Sequence, residues 1–127
     1  MKDCLVLEGK TLESLGNVNW PRQLDNLSVQ NGTPLHVTFE NLQNLQTFSL
    51  RDTPLTSFNI RFPHHLHRLC LKNVGITSLE GLQFGPELTG IDLSGNPIES
   101  INEFVWPKHL RLLRLCSTEI KSIDQAR

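Results

Sequence analysis

Residues 88–101 read Leu88-Thr89-Gly90-Ile91-Asp92-Leu93-Ser94-Gly95-Asn96-Pro97-Ile98-Glu99-Ser100-Ile101, and their spacing decides the fold. Ile91 and Leu93 alternate as in a short strand with one buried face. Ser94-Gly95-Asn96-Pro97 then reads as a tight turn, and Ile98 and Ile101 send two more apolar side chains inward. The same spacing recurs on both sides: Leu66, Leu69, Leu71, Val74, Ile76, Leu79 before it and Leu110, Leu113, Leu115, Thr118, Ile120, Ile123 after it. Further copies are Leu45, Phe48, Leu50, Thr53, Leu55, Phe58 and Leu24, Leu27, Val29, Gly32, the last continuing irregularly through Pro34 and Val37. A degenerate first copy starts at Lys2 and contains Leu5, Leu7, Leu12 and Leu15. The starts at residues 2, 24, 45, 66, 88 and 110 are 22, 21, 21, 22 and 22 residues apart. A unit this short cannot bury its apolar face alone, so a fixed period of this length predicts a solenoid of stacked coils.

The segments between the strands are distinctive. Four residues ahead of the next copy stands an aromatic, Trp20, Phe62, Phe84 or Trp106, with Asn41 the exception. Proline follows directly in Trp20-Pro21, Phe62-Pro63 and Trp106-Pro107. Proline lacks an N–H and disfavours helical geometry in the residue before it, so these returns are predicted to be extended or single-turn. The aromatics share one phase and are predicted to stack inside the convex wall as core. The ninth position of each copy suits an asparagine that bonds turn backbone. Asn96 fills it, and Thr53 and Thr118 approximate it. Lys10, Gly32 and Val74 do not, so turns one, two and four are expected to be looser, with Asn31-Gly32-Thr33-Pro34 the least regular.

These residues resemble the leucine-rich repeat superfamily over residues 2 to 126, in its short classes of 21 to 22 residues, similar to internalins and the phosphatase-regulatory type. The Trp/Phe-Pro-x-x-Leu spacer is similar to that of protist leucine-rich repeat proteins, including receptor-like kinase ectodomains. The fold class expected is an α/β-type solenoid: one curved parallel sheet of about six strands, extended or 3-10 returns on the convex side, and no separate capping domains. The resemblance implies a protein partner held on the concave face. Without caps, self-association through the two ends is a further expectation.

Formal net charge is −1, from 12 Lys and Arg against 13 Asp and Glu, which points to neither nucleic acid nor a membrane surface. The apolar run Cys4 to Leu7 is too short for a signal peptide. Cys4, Cys70 and Cys116 fall on outward positions of different strands. Strands two coils apart are about 9.6 Å distant, beyond the reach of a disulfide. Three unpaired thiols and no export signal favour a cytoplasmic setting, or an extracellular one for a fragment of a receptor. The tripeptides Asn26-Leu27-Ser28 and Asn31-Gly32-Thr33 match glycosylation acceptors but are short enough to arise by chance.

Phosphate loops, dinucleotide fingerprints, C-x-x-C and H-E-x-x-H are all missing from the sequence, so neither an enzyme nor a cofactor is expected. His64, His65 and His67 invite a metal reading. Their junction slots are variable, with Arg22-Gln23 and Lys108-His109 in other copies, which favours solvated surface histidines. Cys70 lies beside Arg68 and Lys72, the setting of a reactive but non-catalytic thiol. The residues expected to bind a partner are the charged outward ones: Arg51, Arg68, Lys72, Asp92, Arg111 and Arg114, with Asp52 beside them. Five positive and two negative charges give this face a net +3, which suits an acidic partner and leaves the remaining surface about four charges negative. Within it, Arg51 and Lys72 share a position in adjacent copies and should repel, whereas Asp92 and Arg114 share another and should pair. Beside a protein-binding module stands the alternative of a structural or ligand-sensing segment of a larger protein such as a receptor-like kinase.

Overall fold

Alternating burial at each apolar pair makes a strand, and the repeat period makes consecutive strands neighbours. The computed structural model of the chain describes residues 3–8, 12–101 and 104–120. The described residues form β1 (Asp3–Glu8), β2 (Leu24–Gln30), β3 (Thr47–Arg51), β4 (Ile60–Arg61), β5 (Arg68–Lys72), β6 (Leu82–Gln83), β7 (Gly90–Asp92) and β8 (Leu112–Arg114). Six of these make one sheet in the order β1-β2-β3-β5-β7-β8, with every pair parallel. The chain is a parallel-strand β-solenoid. Its register joins Leu5 to Leu27, Leu27 to Phe48, Phe48 to Leu69, Leu69 to Ile91 and Ile91 to Leu113, the same residue offsets as the repeat starts. In the last two coils the regular strand stops just short of Leu93 and Leu115, yet the Leu93 N–H still donates to the Arg114 carbonyl at 2.9 Å.

The core lies between the sheet and the returns. Leu27, Val29, Phe48, Leu50, Leu71 and Leu93 are completely buried, while Ser28, Ser49, Cys70 and Asp92 between them stay half-exposed. At the two edges of the described sheet, in and beside β1 and β8, Leu5, Leu7, Leu113 and Leu115 are only half-buried. The only helix among the described residues is the 3-10 turn Leu15–Asn17, capped by the Ser14 hydroxyl accepting from the Gly16 N–H. Elsewhere the returns are extended, and β4 and β6 pair as a small second parallel sheet. A tight turn then leads into four of the coils. The N–H groups of Leu24, Leu45, Leu66 and Leu110 donate to the carbonyls of Pro21, Leu42, Pro63 and Pro107.

Three details depart from the sequence reading. First, turns two and four are tied, not loose. The buried Asn96 side chain accepts from the N–H groups of Val74 (2.9 Å) and Ile76 (3.2 Å) in the preceding coil, and donates to the Leu71 and Leu93 carbonyls. Thr53 does the equivalent two coils earlier, its hydroxyl accepting from the Gly32 N–H of the preceding coil at 3.0 Å. The side chain serves the coil before it as well as its own, so a coil lacking the asparagine borrows one. Turn one contains Lys10, outside the described residues.

Second, Leu35 and not Pro34 enters the core of the second coil. Leu35 is completely buried and bridges to Leu55, while Pro34 is exposed, so the turn at 31–34 contains one extra residue. Third, the aromatic row has no gap at Asn41. Phe39 supplies the ring, 5.4 Å from Phe62 and 5.0 Å from Phe48 between centroids. Phe62 leads to Phe84 at 5.5 Å, and Phe84 to Trp106 at 6.3 Å. Trp20 stands apart from the ring contacts and donates its indole N–H to the Leu15 carbonyl at 2.7 Å.

In the corners that follow β2, β3, β5, β7 and β8 stands a left-handed residue: Asn31, Asp52, Asn73, Gly95 and Ser117, with φ between 52° and 77°. All but Ser117 are residue types that tolerate that conformation. The first four donate their N–H to the next coil, at 2.9 to 3.1 Å, so the corners stack as the strands do.

Candidate functional site on the open sheet face

Because the strands are in register, outward side chains form rows across the sheet. One row is Asn26, Thr47, Arg68, Gly90 and Leu112; the next is Ser28, Ser49, Cys70, Asp92 and Arg114; a third holds Gln30, Arg51 and Lys72. Neighbours within a row are one ladder spacing apart, about 4.8 Å. Small residues stand beside long ones. Thr47, Ser49, Thr89 and Gly90 therefore leave a hollow of about 590 Å³ into which Arg51, Arg68, Arg111 and Arg114 reach, with Asp92 as its one acidic residue. At Gly90 an added Cβ would meet nothing within 4 Å, so the floor there is open.

Five of the six charged residues expected at the site line this hollow. The sixth, Lys72, lines an adjoining depression together with Arg51, Asp92 and Arg114. Arg51 and Lys72 are register partners, as their spacing predicts. Asp92 and Arg114 are register partners too, but they do not pair: an Asp92 carboxylate oxygen accepts from the Ser94 N–H at 3.0 Å. A short side chain satisfies the turn N–H beside it more readily than it reaches a long exposed cation. Asp52 sits in the left-handed corner at the rim of the adjoining depression and accepts from the Asn73 amide at 2.8 Å. Arg51 reaches the Ser49 hydroxyl at 3.4 Å. Among the described residues, the carboxylate of Glu87 alone meets a basic side chain within 4.0 Å, and its partners are histidines. The arginines and Lys72 thus make no ion pair among the described residues, although Asp52 and Asp92 stand in the same depression.

Cys70 lies half-buried in the hollow and Cys116 is exposed in the adjoining depression; both are free thiols. The Cys4 side chain lies outside the described ones. The polar floor, Thr47, Ser49 and Thr89, was not singled out from the sequence. Its signal is there in hindsight: small polar residues recur at outward positions beside arginines. Compared with protein-family models, with curated proteins and with solved structures, the chain matches none.

Proposed function

We propose that the chain is a protein-binding module of the leucine-rich repeat type that takes an acidic segment of a partner on the open face of its sheet. One observation carries the reading: Arg51, Arg68, Lys72, Arg111 and Arg114 converge on one face, around the hollow and its adjoining depression, and none makes an ion pair among the described residues. Guanidinium groups bind carboxylates in a bidentate fork, so four arginines around a polar floor suit Asp and Glu side chains of an extended segment. Arg51 and Lys72 add a drive of their own. Held side by side by the register, their like charges cost free energy that a bound anion relieves.

The test is fluorescence anisotropy with a labelled oligoglutamate peptide as the probe. The double reversal Arg51→Glu with Lys72→Glu replaces two attractions by two repulsions of order ~0.2–1 kcal/mol each, so affinity should fall by about tenfold. Added salt should shrink that difference. The reversal Arg22→Glu with Lys108→Glu, in the exposed return turns, should leave binding unchanged. Loss of binding in the return variant with retention in the sheet variant would overturn the reading.

A further inference from the structure

Three histidines of one coil meet a single carboxylate of the next. His64 and His65 are the central residues of the turn closed by the Leu66 N–H on the Pro63 carbonyl, and His67 follows after the buried Leu66. Glu87 stands one residue ahead of Leu88, as His65 stands one ahead of Leu66, so coil stacking brings the two together. His65 Nδ1 lies 2.7 Å and His64 Nε2 3.7 Å from Glu87 Oε2. His67 Nε2 lies 3.7 Å from the other oxygen, Oε1. The ligand atoms of His64, His65 and Glu87 all lie within 4.8 Å of one another.

The backbones that carry these groups are fixed. Gly85 packs so closely on the histidine turn that a Cβ there would lie 2.7 Å from the Pro63 carbonyl oxygen and 3.0 Å from that of His64. The His67 carbonyl accepts from both Thr89 and Gly90, and its N–H donates to the Gln46 carbonyl. The side chains themselves are solvent-accessible, the imidazoles of His64 and His65 being 66% and 63% exposed and meeting edge to face at 5.0 Å. A surface ion pair uses one imidazole per carboxylate. Here two imidazole nitrogens converge on one carboxylate oxygen, with His67 near the other, so the cluster offers more donors than an ion pair uses.

We propose that His64, His65 and Glu87 hold one divalent transition metal ion of the zinc class. With bonds of about 2.0–2.2 Å, tetrahedral donors stand roughly 3.3 Å apart, a spacing that the ligand atoms of His64, His65 and Glu87, within 4.8 Å of one another, approach. Two imidazoles and a carboxylate favour zinc, copper or nickel over magnesium or calcium. The ion bridges two adjacent coils and stabilises their stacking, since it binds the folded arrangement and not the unfolded chain. This site is separate from the sheet face.

Isothermal titration of the full chain with Zn²⁺ tests this, with thermal unfolding in the same buffers. The wild-type chain should take up one strong equivalent, withstand excess Mg²⁺, and melt at a higher temperature with zinc. Glu87→Gln keeps the shape of the side chain, and His65→Ala changes only an exposed ring. Each should weaken Zn²⁺ by at least the ~10-fold that loss of an outer-shell partner costs. His36→Ala and Cys116→Ser, which remove an exposed histidine and an exposed thiol elsewhere, should leave affinity unchanged. Absence of saturable binding in the wild-type chain overturns the proposal. So does wild-type affinity in either Glu87→Gln or His65→Ala, or an equal loss in either control.

Discussion

Asn96 is a side chain whose work extends beyond its own coil. Its amide is completely buried and bonds two N–H groups and a carbonyl of the preceding coil as well as the Leu93 carbonyl of its own. Replacing it with alanine leaves the N–H groups of Val74 and Ile76 buried and unpaired, at about 1–3 kcal/mol each. Asn96→Ala should therefore cost about 2–5 kcal/mol, seen as a lower urea midpoint at unchanged slope. A loss under 1 kcal/mol would mean that water or a shifted turn satisfies those groups. The asparagine position was readable from the motif. Its reach into the coil before was not, because a repeat pattern aligns residues within a coil and says nothing of which neighbour a side chain leans toward. Glu87 was missed for the same reason: the cluster His64, His65, His67 is visible as a run, whereas its carboxylate arrives only through stacking.

At the scale of the element, the strands were legible and the returns less so. Strand positions follow a strict alternation that a one-residue slip would destroy, which is why all five register offsets follow the repeat starts. The returns carry no such alternation. A ring can come from Phe39, two residues ahead of its nominal slot, and the extra residue at 31–34 is absorbed by exposing Pro34. The two phases of the third return can be separated experimentally. Phe39 is buried against Phe48 and Phe62, so Phe39→Ala should cost about 3–5 kcal/mol. Asn41 is exposed, and Asn41→Ala should stay within about 0.5 kcal/mol. Equal effects of the two in chemical denaturation would show that the aromatic row is not continuous through this coil.

The whole molecule is two-sided. The sheet face gathers arginines, while the chain as a whole carries a formal net charge of −1, so most of the acidic side chains lie elsewhere. That asymmetry was legible in the repeat frame because outward strand positions can be written down from sequence. The hollow was not, since its volume depends on where Thr47, Ser49, Thr89 and Gly90 fall beside the long side chains. The central claim is that this face binds acidic segments, and the most direct measurement is a residue-resolved map by ¹H–¹⁵N NMR during titration with oligoglutamate. The largest shifts should fall at residues 47–51, 68–72, 89–92 and 111–114, in one contiguous patch across the middle of the sheet. Shifts concentrated in the return turns at 21–23, 63–65 and 107–109, with the sheet unperturbed, would contradict it.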